Sequence, residues 1–304
     1  MLSKLRVLAA KVESTVGTAE SLSGTEGAFN VFDLKMLPTI EYFERQGQAG
    51  FSQLAGTLGK YAATCTFRTQ LCGGSSDPSW ASVFLPACGF KGTTRVYSGL
   101  SEAPGSNVKT LTLGGYYNGQ KRAMRGCVGT AVFNFTVGQV IDVNWTFMGA
   151  WTAPTDVAIL SPTYPSETPL RWANSTFTIG SYAFKPSRMT IDLGNEIMFR
   201  EDPTASDGSG IHSALITGRK PKGSFDPESV LVATKDVYGI WLARTTAALV
   251  NTIGSTNNQV SFGAPALQFT NVQEADRNGL LTDDITFALN RSSADGDELT
   301  ITFA

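Results

Sequence analysis

The chain has one histidine, His212, so a Ser/His/Asp or Cys/His nucleophilic arrangement could be built only around that residue. It lies in a loop-like Gly-Ile-His-Ser context, and a surface histidine accounts for it more simply. Carboxylates that could divide acid and base work across a cleft occur at Glu201-Asp202, Asp283-Asp284 and Asp295/Asp297/Glu298. Turn and strand-edge roles explain each of them. The four cysteines, Cys65, Cys72, Cys88 and Cys127, show no CxxC spacing and read as free, partly buried thiols. A zinc site would need further ligands, and His212 is far away in sequence. Asp276-Arg277-Asn278-Gly279 and Ala294-Asp295-Gly296-Asp297 resemble calcium loops only loosely, without the acidic repeat or distal glutamate, and read as turns. The glycine clusters, Gly114-Gly115 and Gly47 to Gly59, lack the spacing of a nucleotide loop. The sequence therefore predicts no catalytic residue, no cofactor and no metal.

Composition points the same way. Charged residues make up 16% of the 304, glycines number 31, and Phe outnumbers Tyr and Trp, which together describe a β-rich chain with many turns. Net charge is −2 overall, divided as +4 over residues 1–152 and −6 over 153–304. No dense Lys/Arg stripe is present that could neutralise a run of phosphates, which disfavours tight nucleic-acid binding; Arg219-Lys220-Pro221-Lys222 reads as a solvated loop. Residues 1–10 lack an apolar stretch long enough for a signal peptide, and no segment is long enough to span a bilayer, so synthesis in the cytoplasm and no membrane anchor are expected.

The elements that position these residues recur. Glu41 and Arg45 end a strand, and Glu196 and Arg200 stand 155 residues later. A helix follows each, one from Ser79 to about Cys88 with Asp77 as N-cap and Pro86 kinking its end, the other from about Thr234 to Val250 with Thr234 as N-cap. Each copy closes on a two-residue alternation. Ala131, Phe133, Phe135 and Val137 lead through Gly138-Gln139 to Ile141, Val143, Trp145 and Phe147; Ile285, Phe287 and Leu289 lead through Asp295-Gly296 to Leu299, Ile301 and Phe303. In the first hairpin the aromatic row is opposed by Thr130, Asn134, Thr136, Asp142, Asn144 and Thr146, a small polar face able to meet water. Gln46 to Gly59 reads as a long loop holding Phe51 and Leu54 among four glycines, a composition that favours contact with another chain. A single strand is expected over Met189–Glu201. The division expected is an extended N-terminal arm (1–30), a first domain (31–152), a Pro-rich linker (153–169) and a second domain (170–304).

Seven stretches, read in order, resemble the major tail tube proteins of long-tailed bacteriophages: LRVLAAKVESTVGTAESL (5–22), EYFERQ (41–46), GKYAATCTFRTQL (59–71), PSWASVFLPACGF (78–90), MRGCVGTAVFNFTVGQVIDVNWTF (124–147), RKPKGSFDPESVLVATKD (219–236) and EADRNGLLTDDITFALN (274–290). The resemblance covers nearly the whole chain. It implies a mainly β fold with flanking helices, a β-sandwich or half-barrel, here in two tandem copies. It also implies stacked rings forming a hollow tube in the virion through which DNA passes without specific binding, with tape measure, tail terminator and distal tail proteins as partners. With two copies per chain, three chains would complete a pseudo-six-fold ring. The polar face of the first hairpin becomes the candidate lumen lining, and Phe51 with Leu54 the candidate contact between rings. Two other readings stay open: another component such as a terminator or secretion-type tube homologue, and a glycan-binding or glycan-cleaving β-sandwich.

Overall fold

The computed structural model describes residues 4–48 and 50–304. In chain order the elements are β1 (Arg6–Val12), a single 3-10 turn (Thr25–Gly27), β2 (Val31–Gln46), β3 (Gln53–Gln70), α1 (Ser79–Ala87), β4 (Phe90–Thr93), β5 (Val96–Gly99), β6 (Leu111–Tyr117), β7 (Gln120–Thr136) and β8 (Asp142–Asp156). There follow β9 (Thr176–Ile179), β10 (Pro186–Asp192), β11 (Asn195–Glu201), β12 (Ile211–Arg219), β13 (Lys222–Pro227), α2 (Val237–Leu242), β14 (Thr246–Ser255), β15 (Asn258–Arg277), β16 (Leu280–Asn290) and β17 (Thr300–Phe303). The fold is mainly β with little helix, and no helix among the described residues is long and apolar enough to cross a membrane.

One sheet carries all the strands except β11 and β12, which form a separate hairpin. Its main path runs β2-β3-β8-β7-β10-β13-β16-β15 and ends in β17-β5-β4, so the order antiparallel pair, last strand, penultimate strand occurs twice in succession. The side branches repeat as well: β6 pairs β7 and is flanked by β1, as β14 pairs β15 and is flanked by β9. We call β1–β8 the first set and β9–β16 the second. They meet where β10 pairs antiparallel with β7, Arg188 to Asp192 facing Thr136 to Val132.

The turns are made by residues suited to them. β6 and β7 join through Asn118-Gly119, as expected, with Gly119 at φ +103. β15 and β16 join through Asn278-Gly279, both at positive φ, the mirror-image turn that matches the twist of a hairpin. The loosely calcium-like segment is thus a hairpin turn, with Asp276 accepting from the Gly279 N–H at 3.1 Å.

Several expectations change. The second closing hairpin is not Ile285–Phe303, because β17 pairs with β15 and β5 and not with β16. The counterpart of β7–β8 is β15–β16. The helix expected over Thr234–Val250 is only Val237–Leu242, capped by Asp236, whose carboxylate accepts from the Gly239 N–H at 2.7 Å. Arg244 at φ +53 ends it, and the β-branched residues beyond, Thr246, Val250, Thr252 and Ile253, enter β14 between β15 and β9. Likewise α1 has Pro78 at its N-cap, and Asp77 instead accepts from the Tyr97 hydroxyl at 2.9 Å. Met189–Glu201 is two strands, broken at Gly194 (φ +62), where a Cβ would lie 2.1 Å from the Lys220 carbonyl oxygen. Within the expected N-terminal arm, β1 is hydrogen-bonded along its length to β6; residues 1–3 lie outside the described residues. Residues 157–169 carry no regular secondary structure.

The aromatic rows expected to face inward do so, except that Val137 at the end of the first row is exposed. Ala131, Phe133, Phe135, Val143, Trp145 and Phe147 are buried, and α1 lies across them with Phe84 ring centroids 5.2 Å from Trp145 and 5.1 Å from Phe67. Both sets share one apolar cluster. Phe133 meets Phe262 at 5.0 Å, and Phe303 of the last strand meets Trp80 at 5.5 Å. Phe84 is fully buried among these rings, so Phe84→Ala should cost about 3–5 kcal/mol, read as a fall in the urea midpoint.

Candidate functional site

Residues that alternate with the buried rows form a polar face across the sheet. In one row Gln70, Asp142, Asn134, Thr190, Ser224, Thr286 and Asn271 face one another strand by strand. The next row runs Arg68, Asn144, Val132, Asp192, Lys222 and Ala288. All six candidates of the first hairpin belong to this face: Asn134 pairs with Asp142, Thr130 with Thr146, Asn144 lies between Arg68 and Val132, and Thr136 faces Arg188. Thr136 and Asn144 are exposed and the other four half-buried, and the Thr130 hydroxyl accepts from the Asn195 N–H at 3.4 Å. Neighbouring hydroxyls bond one another, Thr190 with Ser224 at 3.0 Å and Thr270 with Thr286 at 2.8 Å.

The second set's share of this face escaped the sequence reading. Its signal was present in the alternation Met189-Thr190-Ile191-Asp192 and Ile285-Thr286-Phe287-Ala288, but which strand lay beside which was not. There the face forms a groove of about 870 Å³ lined by Thr190, Asp192, Lys222, Ser224, Thr286 and Asn290. Elsewhere on the face Arg68 bonds Asp142 at 2.7 Å and Arg188 lies 3.6 Å from Asp284; in the groove Arg219 pairs with Glu298 and Lys220 with Glu196, each at 2.5 Å, while Lys222 and Arg291 form no ion pair among the described residues. Such a surface mixes hydroxyls and amides with cations of which most are paired with carboxylates.

The other exposed feature is apolar. Gln46–Gly59 is not a long loop but the end of a hairpin, because β2 runs to Gln46 and β3 starts at Gln53; Ala49 lies outside the described residues. The distal part of β2–β3 forms an arm carrying Tyr42, Phe43, Leu54 and Leu58, all exposed, with Phe51 fully so at its tip. A second apolar surface, unforeseen in the sequence, surrounds α2: Leu231, Val232, Tyr238, Leu242, Leu280 and Leu281 are exposed.

The groups that might have done chemistry are occupied by structure. His212 bonds Ser213 at 3.2 Å, and among the described residues no cluster of side chains could hold a metal ion. Asp295 accepts from Ser101, and Asp297 from the Ser292, Ser293 and Ala294 N–H groups, which hold its carboxyl well below the usual range. Cys65, Cys88 and Cys127 are buried free thiols, and burial pushes Cys65 up to about 12.

Arg125 fastens the β11–β12 hairpin to the first set. Its guanidinium donates to the carbonyls of Gly17 (2.7 Å), His212 (3.0 Å) and Ile211 (3.1 Å) and pairs with Asp207 at 2.6 Å. Burial raises the Asp207 pKa, but the Ser209 N–H and hydroxyl, with Arg125, outweigh it and leave the pKa lowered. A depressed folded pKa contributes stability that is present above the ordinary value of 3.8 and is lost as pH falls through the folded value. Acidification below about pH 4 should therefore loosen this hairpin, read by hydrogen exchange in β11 and β12. Arg125→Ala should do the same at neutral pH, at a cost of about 2–4 kcal/mol, with new proteolytic nicking at residues 202–210.

The family model described as phage tail tube protein matches residues 3–290. No curated protein matches the chain.

Proposed function

The chain belongs to the phage tail tube protein family and is a structural protein of the phage tail, and we propose that it polymerises as stacked rings into the hollow tube that conducts DNA from capsid to host. The observation that carries this is the twice-repeated strand order joined through β7 and β10. A sheet that continues from one set into the next has no natural end until it closes on itself, and closure removes the exposed edges that otherwise invite aggregation. We read each set as one tube-like unit, so that three chains make a pseudo-six-fold ring.

In this reading the polar face lines the lumen, with Thr130, Asn134, Thr136, Asp142, Asn144 and Thr146 contributed by the first unit and Thr190, Ser224 and Thr286 by the second. DNA passes such a lining without being held. The role is mechanical and not enzymatic. Tape measure, terminator and distal tail proteins would meet the tube at its ends, and the chain would be made in the host cytoplasm before entering the virion.

The arm supplies the contact between rings. Phe51 and Leu54 are exposed on a hairpin that nothing among the described residues buries, and burying them against the adjacent ring would recover roughly 1.5–3 kcal/mol for each side chain. Electron microscopy of the purified protein should show long hollow polymers, and a reconstruction should count three chains per ring; six would refute the two-unit reading. The double variant Phe51→Ser, Leu54→Ser should keep its circular dichroism spectrum and give no long tubes. Tubes of normal length from that variant would remove the arm tip from the stacking contact.

A further inference from the structure

The arm leaves the sheet at a fork, and the fork is filled. β3 has β2 on one side along its length, but on the other it has β8 only from Gln70 to Ala62, which faces Ala150. Beyond that pair β8 stays with β7, while among the described residues β2 and β3 go on alone to Gln46 and Gln53. The pairing of β2 with β3 also shifts register directly after the Ile40–Tyr61 pair, between Ile40 and Tyr42, and again between Phe43 and Arg45. Shifts of this kind bend a strand, and a two-stranded ribbon has only marginal stability of its own. Left to itself, the arm would swing at its root.

The tip of the β11–β12 hairpin, residues 202–210, sits in that fork and touches both of its sides. On the β7 side, where Arg125 faces Ala150, the Arg125 guanidinium pairs with the Asp207 carboxylate at 2.6 Å. On the β3 side the Tyr61 hydroxyl donates to the backbone carbonyl of the same Asp207. The Tyr61 N–H, at the first position that β8 no longer pairs, donates to the Ser209 carbonyl at 3.3 Å. Next to it the Lys60 ammonium meets Glu201 at 2.6 Å and Glu41 of β2 at 3.8 Å, so one cation links the hairpin to both strands of the arm. The seat is close, since a Cβ on Gly208 would lie 3.0 Å from the Tyr61 hydroxyl.

We propose that this tip is a brace: it holds the root of the arm in the direction in which the arm meets the adjacent ring, and Lys60, Tyr61, Glu201 and Asp207 are positioning residues for polymerisation. The proposal rests on the reading of the arm as the contact between rings and adds what orients it. The duplication supplies the reason. β11–β12 joins β10 to β13 as the arm joins β2 to β3, so the two hairpins hold equivalent places in the two sets. Turned back at Gly194, the second does not project, and its tip arrives at the root of the first. An apolar tip on a swinging ribbon loses affinity for every orientation it must give up on docking. Fixing the root beforehand therefore favours assembly without adding area to the interface. The contacts differ in weight: the Lys60 pairs are open to solvent and worth little alone, whereas Asp207 is held from both sides by half-buried Arg125 and Tyr61.

Spin labels on the full chain, at a concentration too low for polymers, test the brace. Ser52→Cys near the arm tip and Lys91→Cys on β4, both exposed, are labelled in a Cys72→Ser background, the other three cysteines being buried. With the brace intact, one narrow distribution of label distances is expected. Lys60→Glu sets a third carboxylate against Glu41 and Glu201. It should broaden that distribution and raise the concentration needed for tubes about tenfold, with the circular dichroism and the urea midpoint unchanged. Adding Glu201→Lys restores an opposite-charge pair and should return both readouts towards the parent. Tyr61→Phe, which removes only the hydroxyl, should act as Lys60→Glu does but more weakly. A distribution that is broad in the parent, or that stays narrow in Lys60→Glu while the urea midpoint falls, overturns the brace, as does an unchanged threshold for tubes. If the wild-type chain forms no tubes at all, the tube reading falls, and the label distances alone decide whether the hairpin holds the arm.

Discussion

Backbone pairing between β7 and β10 governs much of the architecture. A strand of the first set that ended at its own boundary would present a row of unpaired N–H and C=O groups to solvent. By taking up β10, that edge becomes the interior of a longer sheet, and the second set continues the first. The shared apolar cluster follows from this, because Phe133 and Phe135 on one side of the joint then lie within ring contact of Phe262 on the other. So does the continuity of the polar face, in which Asn134 of β7 stands beside Thr190 of β10.

Where the two sets differ, a local cause can be named. After β10 the chain turns at Gly194, and Pro221 precedes β13 on the return, so β11 and β12 leave the sheet and pack across β7, β8 and β3. Arg125 then finds its acceptors in that hairpin. After the corresponding part of β2 no such break occurs, and β2 continues to Gln46 as an exposed arm. One hairpin thereby packs within the chain and the other stays exposed. The helices differ for a related reason. α1 is covered by the N-terminal segment, with Phe29 and Phe84 ring centroids 4.8 Å apart, and by Phe303 against Trp80. α2 buries Val237, packs Ile240 and Trp241 partly against the core, and leaves Tyr238 and Leu242 open.

The last strand ties the halves together a second time. β17 pairs with β15 of the second set and with β5 of the first, and Arg219 from β12 reaches both Glu298 and the Gly89 carbonyl. The two sets are therefore joined along the sheet and again at the chain's end, which favours their moving as one body.

Much was legible in the sequence because period and turn chemistry are local properties. The alternation of Phe133, Phe135, Trp145 and Phe147 with Asn134, Asp142 and Asn144 assigned both faces of the first hairpin, and Asn118-Gly119 fixed its neighbour's turn. The ordered motifs pointed to a tail tube protein. Tertiary structure decided what depends on which strand lies beside which. The alternation of Ile285 to Leu289 was right, yet its partner was β15 and not β17, since period cannot distinguish one apolar strand from another as a neighbour. The run after Leu242 became strand because β15 and β9 offered hydrogen bonds on both sides, outweighing the helical pattern. The long loop became an arm because β2 and β3 pair as far as Gln46 and Gln53, and the second set's share of the polar face emerged only when β10, β13 and β16 were aligned against β7. Faces are set within a strand, whereas neighbours are set by pairing between residues far apart in the chain, and only the folded sheet contains that information.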